Sequence, residues 1–292
     1  MSKTVKIIIT YILTFLAAFA VIGGTGLIIM NRYKATQSER AAETTVETSN
    51  PIPGDIDRMI ALVAYDGAAR FDGVCFYILG FVAEEDKLYI VPLHSDLELN
   101  GRSLYDVYAE GGIVSAKDGL NNLLPITIDQ YMVINHSGFN IFSEACGNIS
   151  YDVPYHLINS SQNQYENTLI KEGIQILDTS NLSKVLIFPN YNNGEDERVQ
   201  TMGTLTVELI NAGCKSTFRS NLRDFYDQLI NAGCATNISS YDFDDVKPAW
   251  DYVLQRSVSP AQLLLPSGSY NESERYVMDP DFTDALPRFF DE

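Results

Sequence analysis

The first long apolar run stands alone near the start of the chain. From Ile7 to Met30, "IIITYILTFLAAFAVIGGTGLIIM", 24 residues pass without a charge. At about 1.5 Å rise per residue such a run crosses a bilayer core of about 30 Å. A cleaved leader has a shorter apolar stretch closed by small residues, whereas "NRYK" follows Met30. The pattern therefore predicts a transmembrane helix over 7–30 behind a short tail, 1–6. Residues 31–56 are polar, rich in Thr, Glu and Ala, and contain "SNPIP", the composition of a tether. A globular pattern begins at residue 57 and is expected to form one domain, 57–292.

Within that domain, short apolar runs bounded by turn residues predict strands. They are "MIALVAYD" (Met59–Asp66), "GVCFYILGFVA" (Gly73–Ala83) and "KLYIVPL" (Lys87–Leu93), with "ISYDVP" and "KVLIFPN" further on. A helix is predicted over Leu104–Leu124, its glycines near the ends of segments. Gln130–Cys146 is expected to be a strand and then a helix opening near Ser137. "RVQTMGTLTVELINAGC" and "SNLRDFYDQLINAGC" predict two successive amphipathic helices. Gly213 and Gly233 are expected as their left-handed caps. "AQLLLPSGSY" and "RYVMDP" predict a terminal hairpin. Strands interspersed with helices give an α/β class: a single domain with a mixed central β-sheet covered by helices, after the membrane helix.

Charge narrows the partners. The first 34 residues hold four Lys/Arg and no acid, so the chain's net −18 becomes −22 beyond them. That excess argues against nucleic acid, which needs a basic face. It leaves room for a phosphorylated ligand bridged to carboxylates by a divalent cation. Lys3 and Lys6 before the span balance Arg32 and Lys34 after it. The short tail with two lysines favours a cytoplasmic N-terminus and an outside domain.

Chemistry-bearing residues are sparse. Cys75, Cys146, Cys214 and Cys234 form no C-x-x-C pair, which excludes a zinc ribbon or a thioredoxin-like motif. A Cys214–Cys234 bridge stays open. His94, Ser95 and Asp96 are adjacent, but neighbours on an extended segment face opposite ways, so they cannot converge as a triad. His136 and His156 lack metal-ligand spacing. Acids at strand ends, Asp66, Asp72 and Asp96, are better placed, because ligands of α/β sheets gather there.

The order of segments resembles the LytR-CpsA-Psr family. The best-matching block is "SLYDVYAEGGIVSAKDGLNNLLPITIDQYMVINHSGFNIFSEACGNISYDVP" (Ser103–Pro154), with "KEGIQILD" (Lys171–Asp178) and "LLLPSGSYNESERYVMDPDFTDAL" after it. The resemblance covers about residues 57–290. It implies an extracytoplasmic phosphotransferase that moves a glycopolymer from a polyprenyl-pyrophosphate carrier to peptidoglycan. Mg²⁺ and arginines would hold the pyrophosphate, an Asp would assist the acceptor hydroxyl, and an apolar groove would hold the polyprenyl tail.

Carried over by position, the family's G-x-D is Ala64-Tyr65-Asp66 and its R-x-D is Arg70-Phe71-Asp72. Asp66 and Asp72 would hold Mg²⁺. The "SIPRDT" block falls on Pro92–Leu97, keeping Asp96 but placing Ser95 where the family has arginine. Asp96 and Arg70 are thus the expected catalytic residues, with Arg70, Arg102 and Arg198 on the pyrophosphate. Arg198 closes Glu195-Asp196-Glu197-Arg198, in the place of a D-x-x-R motif. The paired arginines expected within Leu186–Pro189 are absent, and R-Q falls on Thr201-Met202. Each lost arginine removes a bidentate phosphate contact. The expectation is a member of glycopolymer attachment with weakened or lost catalysis. The alternative is a non-catalytic polyprenyl-phosphate or glycopolymer scaffold, or an envelope sensor.

Overall fold

In the computed structural model the described residues are 52, 57–67, 74–160, 167–216 and 218–290. The expected membrane helix 7–30 lies outside them, as do Arg70 and Asp72. Among the described residues no helix is long and apolar enough to cross a membrane.

Chain order begins with β1 (Arg58–Asp66), β2 (Cys75–Val82) and β3 (Lys87–Leu93), then a small hairpin of β4 (Glu98–Leu99) and β5 (Arg102–Ser103). Helix α1 (Leu104–Leu123), β6 (Gln130–Asn135) and α2 (His136–Cys146) follow. Four short strands come next: β7 (Ile149–Val153), β8 (Leu157–Asn159), β9 (Thr168–Ile170) and β10 (Gly173–Leu177). The helical stretch is α3 (Thr179–Leu186), α4 (Gly194–Lys215) and α5 (Phe218–Asn231), then β11 (Ala235–Thr236) and α6 (Ser240–Arg256). The chain closes with β12 (Ala261–Leu263), β13 (Gly268–Tyr270), β14 (Tyr276–Met278), α7 (Pro280–Ala285) and α8 (Pro287–Phe290).

The central sheet has the order β11-β6-β1-β2-β3-β12. It is mixed: β1 runs parallel to β6 and antiparallel to β2, and β3 runs antiparallel to β2 and parallel to β12. Both faces are covered, which is why the strands read as nearly unbroken apolar runs. Tyr65, Tyr77 and Phe81 pack under α2, α4 and α6. Leu62, Phe76 and Ile78 pack on the other face against α1 and the C-terminal helices. The expected α/β class with a mixed, helix-covered sheet is observed.

Three local expectations differ. "KVLIFPN" is not a strand. Its first half ends α3, which starts where the Asp178 carboxylate accepts the Asn181 N–H at 2.9 Å. Leu182, Val185 and Leu186 are buried at helical spacing, and the apolar Ile187 and Phe188 that follow obscure that period. Gly233 has the expected left-handed conformation (φ 83°), but Gly213 lies inside α4, where a β-carbon would meet the Phe218 ring at 2.3 Å. Of the terminal segments, β13 and β14 form the hairpin, while "AQL" (β12) leaves it to pair with β3 at the sheet edge.

Candidate functional site

β1 and β3 are both antiparallel to β2, so their C-terminal ends, Asp66 and Leu93, lie at the same end of the sheet. The turn after β3 carries His94, Ser95 and Asp96. Helix α4 delivers Glu195 and Arg198 to it, because its first turn starts at Gly194, whose φ is 64°. Three acids in that turn, Glu195, Asp196 and Glu197, suit the positive end of the helix dipole.

The centre of the cluster is a buried ion pair. Arg198 is 4% exposed and grips Glu195 three residues earlier: Nε donates to Oε2 at 2.5 Å and Nη2 to Oε1. Ser95 donates to Glu195 Oε1 from its backbone N–H (3.1 Å) and from Oγ (2.8 Å), and Arg198 Nη2 also donates to Ser95 Oγ at 3.2 Å. Arg198 Nη1 reaches Cys75 Sγ at 3.7 Å. Burial opposes the Glu195 charge, but Arg198 and the Ser95 donors hold the carboxyl below its ordinary range.

Around this pair, charges are suppressed. His94 is buried and stacked on Tyr276, with ring centroids 3.5 Å apart, and desolvation lowers its pKa to about 4. The Asp96 pKa is raised to about 6, first by desolvation and then by the Glu195 charge; Arg198 and Arg275 oppose the rise. Its Oδ1 is buried without a hydrogen-bond partner, 3.8 Å from His94 Nδ1. A carboxylate with its proton affinity raised in this way and one oxygen unsatisfied is suited to take a proton from an incoming hydroxyl.

Asp66 ends β1 and accepts a hydrogen bond from Tyr108 of α1 at 2.9 Å. The Asp66 carboxylate is the kind of oxygen ligand Mg²⁺ takes, and the Tyr108 hydroxyl orients it. The described residues therefore fit one side of the expected metal site, and its other expected ligand, Asp72, lies outside them. Among the described residues no group of three or more His, Cys, Asp or Glu is placed to hold a metal.

Arg102 points elsewhere. It is exposed, pairs with Glu110 at 2.6 Å and donates to the Asp106 carbonyl, so it lies along α1. Of the expected site residues, the structure brings Asp96 and Arg198 together, places Asp66 at the same sheet end, and sends Arg102 to solvent. Tyr108 and Arg275 were missed from sequence, and Glu195 was read only as the first position of the D-x-x-R block, with no role given to it. The acid–Arg spacing of three within "EDER" was a usable signal for Glu195. Tyr108 and Arg275 carried none, because their partners are 42 and 169 residues away.

An apolar cavity of about 240 Å³ lies between the sheet and helices α2, α4, α5 and α6. It runs from Met59 and Phe81 to Tyr65 and Tyr77, with Trp250 stacked on Phe81 at 4.1 Å. Tyr77 is hydrogen-bonded to Thr206 and Cys75, and Cys75 touches Arg198. The apolar cavity and the polar cluster are thus neighbours.

No family model matches the chain. A polyisoprenyl-teichoic acid–peptidoglycan teichoic acid transferase, TagU of Halalkalibacterium halodurans, is 31% identical over 116 residues, which is 38% of this chain and 36% of that relative. The match thus spans little more than a third of the relative. Among solved structures, a Eubacterium siraeum protein described as a transcription regulator has a TM-score of 0.71 at 19% identity, covering 85% of this chain and 98% of its own. B. subtilis TagV has a TM-score of 0.61 at 15% identity, covering 80% and 95%. These structural likenesses show a shared fold, and with the TagU match they bear out the resemblance read from the sequence.

Proposed function

We infer that the chain, a LytR-CpsA-Psr-type domain, serves cell-envelope glycopolymer attachment: it takes a polyprenyl-linked glycopolymer and presents its phosphate to peptidoglycan. The observation that carries this reading is the apolar cavity that meets Arg198 through Tyr77 and Cys75. It offers an isoprenoid chain a dry slot, and the cationic, hydrogen-bonding cluster around Arg198 lies beyond its Tyr77 wall, across Cys75. The relative named as a teichoic acid transferase supports the substrate class.

In this reading, residues 7–30 anchor the protein with its domain outside the membrane. Arg198 and Arg70 hold the pyrophosphate, and Asp96 takes the proton of the acceptor hydroxyl. Asp66, steadied by Tyr108, and Asp72 would hold Mg²⁺. Bound there, the ion would neutralise phosphate charge during transfer. Arg102, expected on the pyrophosphate, pairs with the exposed Glu110 in this structure and would have to leave it to reach the phosphate.

A second reading, binding without turnover, is favoured by one arrangement. Ser95 stands where the family has arginine, and Glu195 already neutralises Arg198. The chain's single tryptophan, Trp250, lines the cavity and reports on its contents. Titration of the full chain in nanodiscs with undecaprenyl phosphate is expected to shift Trp250 fluorescence saturably, and no response would remove both readings. Mg²⁺-dependent transfer to peptidoglycan, abolished by Asp72→Ala and Asp96→Asn, would establish the enzyme. Binding that ignores Mg²⁺, with no transfer, would establish the scaffold.

A further inference from the structure

The carboxylate of Glu195 stands in an unusual concentration of donors. A backbone N–H and a hydroxyl from Ser95 converge on Oε1, joined by Arg198 Nη2, while Arg198 Nε takes Oε2. A main-chain amide, a hydroxyl and both edges of a guanidinium fork are the donor set by which proteins bind phosphate oxyanions. Here they bind a side chain of the same molecule. The guanidinium is nearly excluded from water, and its remaining contact is the neutral Cys75 thiol. It therefore needs an anion beside it, and Glu195 supplies one.

The two partners differ in freedom. The Arg198 side chain is 4% exposed and that of Glu195 is 20% exposed. Glu195 also sits in the first turn of α4, at the helix surface, beside the exposed Asp196. Glu195 is thus the partner with an edge toward solvent, whereas Arg198 and the Ser95 amide are held by the helix and the sheet end.

We propose that Ser95 and Arg198 form an oxyanion cradle that the chain's own Glu195 plugs, and that a phosphate oxyanion enters by displacing this carboxylate. The resting protein is thereby held in a low-affinity state for phosphate. This inference rests on reading the cluster as the phosphate end of the site, and it names how that end is regulated. The oxyanion could belong to a lipid-linked pyrophosphate or to a free phosphate, since the cradle recognises only their shared oxygens.

The test uses the full chain in nanodiscs, with inorganic pyrophosphate as probe, isothermal titration and thermal melting as readouts, and circular dichroism to confirm folding. Glu195→Ala is expected to bind pyrophosphate about tenfold or more tightly than wild type and to melt higher in its presence. The double variant Glu195→Ala/Arg198→Met should gain neither property. A folded Glu195→Ala protein that binds no better overturns the proposal. If that variant does not fold, Glu195→Gln keeps the size and removes the charge. It should show the same direction of change, and a folded Gln variant without a gain is equally fatal. Undecaprenyl pyrophosphate provides the second arm. A parallel gain places the lipid's phosphates in the cradle, and a gain for inorganic pyrophosphate alone assigns it to free phosphate. Failure of the wider functional reading would show separately, as a Trp250 signal in wild type that ignores undecaprenyl phosphate.

Discussion

His94 and Asp96 stand two positions apart on the turn after β3, and burial drives both toward their uncharged forms. Their effects on stability run in opposite directions. His94 has its pKa lowered from 6.5 to about 4, so the unfolded chain takes up a proton in that window that the folded one refuses. Stability therefore falls as pH drops from 6.5 toward 4. Asp96 has its pKa raised from 3.8 to about 6, so the folded chain holds a proton the unfolded one has released. Stability from this group falls as pH rises from 3.8 toward 6. Asp96→Asn is expected to steepen the rise of melting temperature between pH 4 and 6.5, and His94→Gln to reverse it. An Asn variant whose profile parallels wild type would refute the assignment. The neighbouring Glu195 is a stability residue whatever its regulatory role. Glu195→Ala leaves the buried Arg198 guanidinium without its anion, and urea denaturation without added phosphate should register a loss of about 3 kcal/mol.

At the scale of elements, local chemistry decided more than periodicity did. Helix α1 opens on a capping box: the Asp106 N–H donates to Ser103 Oγ at 2.9 Å, and the Asp106 carboxylate accepts from the Ser103 N–H. The helix is broken at Gly112, whose φ of 70° and ψ of −171° fall in a region open essentially only to glycine. Gly112→Ala is therefore expected to cost about 1–3 kcal/mol, read as a lower midpoint in urea with the slope unchanged. Gly111 and Gly112 sit at the break, as expected of glycines near segment ends, whereas Gly119 lies within the helix, where a β-carbon would meet Leu99 at 2.9 Å. The misread element, α3, shows the opposite case. Its apolar run is buried for its whole length, so a helix end and a central strand present the same pattern. The Asp178 cap was the legible clue. The amphipathic helix α6 went unread from sequence, although its Ser239 capping box is equally local.

At the scale of the whole molecule, the cavity is what distinguishes this α/β sheet from a solid core. Leu209 lines it from α4. Leu209→Trp should fill part of it and weaken undecaprenyl phosphate binding roughly tenfold or more, equivalent to excluding about two or three methylenes at about 0.8 kcal/mol each. Melting should change little, and unchanged lipid affinity would remove the cavity as the lipid site. The sequence by itself determined the α/β class, β1 to β3 and the helices α1, α2, α4 and α5. Those are set by short-range periodicity and capping, which a linear pattern records. It also marked Asp66, Asp96 and Arg198, through strand ends and the order of segments. Only the tertiary structure decided that Arg198 is sealed against Glu195 and Ser95, that Arg102 turns away to Glu110, and that Tyr108 reaches Asp66. Those contacts join residues on separate elements, and whether a cation faces a ligand or a carboxylate of its own chain depends on packing that no spacing along the chain encodes.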